Sequence, residues 1–410
     1  MSKFWVSCLC VCATLSASAI GPRVAIVAAA TNTANEQTNT RFTDPRDMLV
    51  NDGRFSSVTI ISTTQYGGGF TPTLIDLLQY DAILHWTNDS NEDSVGLGNS
   101  FADYVDAGGG VVVSVFANTS TNVMRYLRGR WQTGNYEIIP AAGTHTEGPV
   151  AGTPGTEGYI HMATPIVPAH PIFQGVGDVR LWWKTTTQGL RWGAHRPTNT
   201  NVHLWGQKIA LWDDGKTAVA LHNDHPNRVD LGIHPVSDAV ALAYYDRTSD
   251  AGKLIANSLL YSAGIAIAVD LSLGDTVSPM AASRSIDYTV KQGDIVRKIG
   301  TVQLPTVPEA PARIYLLRSL TGPITIEFDG ASYLRKKVHA VHAGSDLNLG
   351  PVVLTNGDPD NSGEVDAADI DAVIANFGST NDGSTDVDAS GEVDAADIDI
   401  VISNFGSVNE

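Results

Sequence analysis

Cysteine is nearly missing from this 410-residue chain: the three it has, Cys8, Cys10 and Cys12, all fall within the first nineteen residues. Those residues read as a secretory leader, with Lys3 in the charged region, an apolar run over residues 4–15 and Ala17-Ser18-Ala19 as a small-residue cleavage motif. Ile20 is the expected mature start, and a secreted, extracellular or cell-surface location follows. Lipoprotein processing at one of the cysteines is the alternative. Without the leader the chain has no thiol, which excludes disulfides, thiolate nucleophiles and cysteine metal ligands together. Long apolar runs are lacking too. The leader's own run is shorter than the ~20 residues a span needs, so no membrane span is expected once it is removed. Basic residues are absent from 356–410, which carry 14 acidic ones; the rest of the chain holds 30 acidic against 26 basic residues, so the formal charge of -18 belongs mostly to the end. A near-balanced remainder leaves no footprint for nucleic acid or an anionic membrane. The length allows two or three domains.

What is present at the acidic end is a repeat. Residues 358–378 and 386–406 agree at 17 of 21 positions, and each copy opens Asp-x-Asp-x-Ser-Gly-x-Val-Asp-x-x-Asp. Oxygen side chains then fall at positions 1, 3, 5, 9 and 12 of a twelve-residue loop, and a glycine at position 6 supplies the sharp turn. That is how a hard cation is caged by oxygens at flexible distances. The expected ligands of the first copy are Asp358, Asp360, Ser362, the carbonyl of Glu364, Asp366 and Asp369. Those of the second are Asp386, Asp388, Ser390, the carbonyl of Glu392, Asp394 and Asp397. Two calcium ions are the implied cofactors. A solvated acidic tail, the alternative reading, has no reason to repeat glycine and valine in register.

Each loop is followed by apolar residues at i, i+3, i+4 and i+7: Ile370, Val373, Ile374 and Phe377, then Ile398, Val401, Ile402 and Phe405. This is one stripe on a short helix, closed by Gly378 or Gly406. Neither helix can bury its stripe alone, so the two stripes are expected to pack on each other. Loop plus exiting helix, duplicated, resembles a type I dockerin module over about residues 356–408. The resemblance implies a cohesin-like protein partner. In that family the two residues between loop positions 9 and 12 often carry hydroxyls that meet the partner; here they are Ala367, Ala368, Ala395 and Ala396, a departure that bears on docking.

The domain over residues 20–264 alternates short apolar runs with helical segments. Apolar runs at 24–30, 58–62, 82–86 and 111–116 are separated by helix-like stretches around 45–50, from Thr71-Pro72 through Leu78, and at 101–105. Such alternation predicts an α/β domain with a parallel sheet covered on both faces. The order of the signals resembles the class I glutamine amidotransferase-like fold, and within it the ThuA-like group. Its carriers are the segments 80–84, 104–111, His170-Pro171-Ile172 opening a later strand, 227–229 leading to 232–235, and 254–259. The amidotransferase nucleophile would sit just after the fourth strand, where this chain has Phe116-Ala117-Asn118, and no Gly-x-Ser-x-Gly elbow replaces it. The architecture is expected without the covalent mechanism.

Ligands of an open parallel sheet bind beyond the carboxyl ends of its strands. The residues expected there are Thr31, Asn32, Tyr66 with its following glycines, Thr87, Asn88, Asn118 and His234, a set of hydroxyls, amides and aromatics suited to a neutral carbohydrate. Ordinary loop polarity explains any one of them equally well. The tight group His222-Asn223-Asp224-His225 reads as a turn rather than a metal site, and the tryptophans 182, 183, 192, 205 and 212 as packing more than as a sugar platform.

From 265 to 355 the pattern becomes alternation, as in Ile286, Tyr288, Val290 and in Ile324, Ile326, Phe328. A small antiparallel β-sandwich is predicted, a spacer by default, with a carbohydrate-binding sandwich as the alternative. The whole is thus a leader (1–19), an α/β domain (20–264), a β-sandwich (265–355) and a calcium-loop module of paired F-hand type (356–410). Three functions fit. The first is a secreted carbohydrate-associated protein, noncatalytic or weakly catalytic, assembled through its calcium-dependent end. The second is a secreted glycan hydrolase in polysaccharide catabolism, for which Asp89, Glu92, Asp213 and Asp224 are the carboxylates on offer. The third is a structural cell-surface interaction protein.

Overall fold

The computed structural model describes residues 21–30, 36–66, 68–149, 153–304, 311–317, 320–380 and 383–410. The leader, Thr31, Asn32 and most of the proline-rich connection at 305–311 lie outside them. Among the described residues no helix is long and apolar enough to cross a membrane.

The first domain runs β1 (Arg23–Ala29), α1 (Thr40–Asp52), β2 (Ser57–Ser62), α2 (Leu74–Leu77), β3 (Ala82–Thr87), α3 (Ser94–Asp106) and β4 (Gly110–Val113). An irregular stretch follows, with α4 (Arg130–Thr133), β5 (His145–Thr146), β6 (Glu157–His161), β7 (Arg180–Thr185), β8 (Arg191–Gly193) and β9 (Arg196–Pro197). The chain returns to the main sheet with β10 (Gly206–Leu211), β11 (Thr217–His222) and β12 (Arg228–Leu231), then closes with α5 (Ala251–Ala263). The main sheet has the order β10-β11-β12-β4-β3-β1-β2. Its five strands from β12 to β2 are parallel, but β10 and β11 are antiparallel, so the sheet is mixed rather than parallel throughout.

The apolar runs are continuous because both faces are covered. Along β1, Val24, Ile26 and Ala28 enter one core while Ala25 and Val27 enter the other, and β3 divides Ala82, Leu84 and Trp86 from Ile83 in the same way. Helix α5 lies on the first face, α3 on the second. Two local expectations change. The segment after Thr71-Pro72 makes only the single turn of α2, and His170-Pro171-Ile172 forms a 3-10 turn in place of a strand start, with the His170 ring accepting from the Ile172 amide.

Gly264 joins α5 to the second domain at φ 105, where a Cβ would lie 2.0 Å from the Leu316 carbonyl oxygen. That domain holds β13 (Ile265–Leu273), β14 (Arg284–Gln292), β15 (Ile295–Leu304), β16 (Ala312–Leu316), β17 (Gly322–Gly330), β18 (Ser332–His342) and β19 (Leu347–Leu354). The alternating residues of β14 and β17 are buried between its two sheets. One sheet is antiparallel; in the other, β13 pairs with β19 in parallel, so this sandwich is also mixed. Ala266 and Tyr315 extend the α/β core across the joint. On the other side Lys298 is buried with its amine on the Gly108 carbonyl, and burial lowers its pKa to about 8.

The acidic end continues the sandwich. Strand β20 (Asn356–Asp358) pairs with β18, Ser332 opposite Asp358, and leads through the first loop to α6 (Ala367–Ala375) and through the second to α7 (Ala395–Ser403).

One buried ring shows how the stability of the α/β domain depends on acid. His85 is fully buried on β3, its Nδ1–H donating to the Val27 carbonyl at 2.7 Å, and burial lowers its pKa to about 4. An unfolded histidine takes its proton near 6.5. Between those values the unfolded chain binds a proton that the folded one refuses, so this contribution is complete above pH 6.5 and declines as pH falls toward 4. Imidazole nitrogen shifts followed by NMR are expected to show His85 neutral at pH 5, with the urea midpoint already lower than at pH 7.

Candidate functional site

The two loops are near copies in three dimensions. In the first, the Asp358 carboxylate accepts from the Ser362 amide at 2.9 Å and the Gly363 amide at 2.9 Å, and Asp360 accepts from Ser362 at 3.0 Å. Asp369 accepts from the Asp366 amide at 2.7 Å. The second loop repeats this with Asp386 on Ser390 and Gly391, each at 3.0 Å, Asp388 on Ser390 at 2.8 Å, and Asp397 on the Asp394 amide at 2.8 Å. Glycines 363 and 391 turn at φ 89 and 98, the positive values that position requires.

The consequence is convergence. Carboxylate oxygens of Asp358, Asp360 and Asp369 lie within 4.8 Å of one another, as do those of Asp386, Asp388 and Asp397. Among the described residues no lysine or arginine pairs with the first trio; the second has Arg284 at 3.7 Å from Asp386. Burial raises the pKa of Asp358 to about 6 and raises those of Asp369, Asp386 and Asp397. Two such charges at this spacing repel by up to about 3 kcal/mol, less where Asp360 faces water. The remaining oxygens point to each other: Ser362 donates to the Glu364 carbonyl at 3.1 Å and Ser390 to that of Glu392 at 3.2 Å. A donor set made only of hard oxygens fits calcium.

Asp366 and Asp394 have a different place. Each is the N-cap of its helix and accepts from the amide two residues on, Ala368 or Ala396, at 2.7 Å. They orient the helix, and the converging carboxylates are those of positions 1, 3 and 12. The helices meet less fully than their stripes suggest. Val373 and Val401 are buried with Val365, Val393 and Leu334 of the sandwich, while Ile374, Phe377, Ile402 and Phe405 are each more than half exposed. The loops grip each other instead. Val365 and Val393 each exchange backbone hydrogen bonds with the glycine-serine pair that follows the other loop's helix, Gly406-Ser407 or Gly378-Ser379.

The α/β residues expected to face a ligand divide. Tyr66 is 76% exposed beyond β2. Thr87 is buried at the end of β3, with Asn88 half-buried after it. Asn118 turns inward, its amide donating to the carbonyls of Val113 at 3.3 Å and Leu231 at 2.9 Å, so it ties β4 to β12 instead of lining a cleft. His234 is buried, one ring nitrogen 2.8 Å from the Val115 carbonyl, and burial lowers its pKa to about 3. Of the four carboxylates considered for glycoside cleavage, Asp213 lies in the β10–β11 turn and Asp224 in the β11–β12 turn, at opposite ends of β11, while Asp89 and Glu92 follow β3. His222 and His225 do not converge on a metal. His222 accepts from the amides of Asp224 and His225 and faces the Asn135 carbonyl, and His225 stacks on Tyr136. Of the tryptophans, Trp212 is core, and Trp182 and Trp192 pack edge to face.

One grouping at this edge was not anticipated. Phe116, in the turn where a nucleophile would sit, packs against His145, His195 and His234 at ring distances of 4.7, 5.1 and 5.4 Å. Glu147 lies 2.9 Å from His145 Nε2 and 3.4 Å from His195 Nδ1, and these contacts hold its carboxyl down at about pKa 2. The only sequence signal was His145-Thr146-Glu147, an i, i+2 pair that shares one face of a strand.

No family model matches the chain, and no curated protein does. Among solved structures, a protein described as ThuA-like from Parabacteroides merdae is 16% identical over 59% of this chain and 90% of its own, with TM-score 0.38. Another from Bacteroides uniformis is 13% identical over 59% of this chain and 92% of its own, with TM-score 0.36. A chain of a mutant type II cohesin-X-dockerin complex from Acetivibrio cellulolyticus is 18% identical over 36% of this chain and 98% of its own, with TM-score 0.29. All three scores are too low to fix a family for this protein.

Because Asn118 bridges two strands from inside, Asn118→Ala is expected to lower unfolding free energy by about 1–3 kcal/mol, leaving buried carbonyls unpaired. Urea denaturation of the two proteins measures it.

Proposed function

We propose that the protein is an exported, calcium-organised assembly protein: residues 356–410 hold two calcium ions and dock a protein partner, and the α/β domain is a carbohydrate-associated body without amidotransferase chemistry. The observation that carries the reading is the pair of trios of converging carboxylates, built twice to the same plan with oxygen donors alone. Mutual repulsion of this kind needs a multivalent cation for relief. Calcium then couples to the fold of the module, because each cage includes the helix that follows it.

The exposed Ile374, Phe377, Ile402 and Phe405 support docking. Apolar residues left outside a small core, repeated by the internal duplication, are surface that a partner covers. A cohesin-like protein is the partner class that the loop-helix resemblance implies. The alanines before the twelfth loop position make the contact more apolar than one based on hydroxyls. For the α/β domain, Phe116 at the nucleophile position supports a binding role over an acyl-enzyme route.

Calorimetry on the intact chain tests the reading. Two calcium equivalents are expected, with Asp369→Asn and Asp397→Asn each removing one, because each deletes the twelfth-position carboxylate of one loop. Absence of calcium heat in the parent protein would overturn it. With calcium bound, a cohesin panel and a glycan array run on the same sample test the partner and the ligand class.

A further inference from the structure

The cluster beside Phe116 carries an inference independent of the calcium loops. His145 opens β5 and Glu147 directly follows that strand, 2.9 Å from the His145 ring, and His195 stands just before β9, which pairs with β5 through His145 opposite Pro197 and Thr146 opposite Arg196. The scaffold is tightly bound. Arg196 is fully buried, and its guanidinium donates to the carbonyls of Ala194 and Gly148, at 2.6 and 2.8 Å, and to Asp214 at 2.6 Å. The Gly148 amide donates to the Gly193 carbonyl at 2.9 Å. The three side chains are therefore presented by two segments locked together from behind.

We propose that His145, Glu147 and His195 bind a divalent transition-metal ion of the zinc type, with at least one coordination position left open toward the carboxyl edge of the sheet. Three observations carry this. One ligand atom from each residue lies within 4.8 Å of the others, and Glu147 is 2.9 and 3.4 Å from the two imidazole nitrogens. Bonds of about 2.1 Å to a tetrahedral ion set its ligands about 3.4 Å apart, so only a small closure of the histidines completes the site. Two imidazoles and one carboxylate are a set that zinc accepts and calcium does not favour.

The third observation separates a metal site from a simple ion pair. His195 is nine-tenths buried, yet its Nδ1 has no hydrogen-bond partner, because its geometry toward Glu147 fails despite the short distance. A charge-assisted triad would align that N–H with the carboxylate. A metal ligand needs the nitrogen lone pair aimed at the centre of the group instead. Buried unpaired polar atoms continue around Phe116: His234 Nε2, Trp86 Nε1 and Arg125 Nε also have no hydrogen-bond partner. His234 packs on both Trp86 and Phe116, and Arg125 lies over the Phe116 ring. These groups line the ground beside the open position, where an oxygen ligand such as water or a sugar hydroxyl would be held.

Cobalt(II) titration of the intact, metal-stripped protein in excess calcium is the test. One equivalent is expected to give the intense visible bands of a four- or five-coordinate ion, displaced by zinc, which oxygen-only loops do not produce. Glu147→Gln and His145→Ala are expected to weaken binding about 100-fold or more, with far-UV circular dichroism unchanged; both residues are half-exposed, so they decide the matter even if His195→Ala does not fold. The double variant Asp369→Asn with Asp397→Asn is expected to keep the bands. No bands in the parent protein, bands that survive Glu147→Gln and His145→Ala, or bands lost with the loop aspartates would overturn the assignment.

Discussion

Repulsion between aspartates that the backbone forces together is the constraint on which the C-terminal third depends. Amides of the loop hold the first-position carboxylate from one side, and the helix cap holds the twelfth-position one from the other. Neither can swing away without breaking a turn or uncapping a helix. In the proposed reading relief comes from a cation, so the fold and the ion are one equilibrium. The constraint reaches beyond the loops because Asp358 is also the last residue of β20 in the sandwich sheet. Arg284 on β14 reaches the carbonyls of Gly383 and Asp386, and the amides of Val277 and Ala281 donate to Asp388 and Ala389. The second loop is thus clamped along its backbone by the sandwich, which acts as its seat more than as a spacer.

The α/β domain solves a separate problem. Its parallel strands are satisfied on both faces, and its chemistry gathers at their carboxyl edge, where an irregular stretch between β4 and β12 folds back over Phe116. That stretch supplies His145, His195 and Glu147, while β3 supplies Trp86 and the segment after β12 supplies His234. The turn after β4 and the histidine group occupy the same ground. The bulky Phe116 ring in that turn packs against three imidazoles.

How much of this was legible depended on how local the cause was. The convergence of the carboxylates at loop positions 1, 3 and 12, the glycines with positive φ and the alternating sandwich strands are set by neighbours a few residues away, and all could be read from the chain. The buried-strand runs of β1 and β3 were legible for the same reason. The exposed Phe377 and Phe405 were misjudged because Leu334, from a different domain, takes part of the space the second helix was expected to fill. Antiparallel β10 and β11 carry the same apolar signal as a parallel pair. The inward turn of Asn118 is decided by carbonyls on β4 and β12, and that of His234 by the Val115 carbonyl just beyond β4. The His145, Glu147 and His195 group joins two strands of two residues each, too short for any periodicity.

Amide hydrogen exchange on the intact protein, with calcium and then with chelator, tests the central claim most directly. The account predicts that chelation speeds exchange at Ser362, Gly363, Ser390 and Gly391 and at the β18–β20 ladder, while β1, β3 and β4 stay protected. Unchanged protection at all four loop amides after the ion is withdrawn would contradict it.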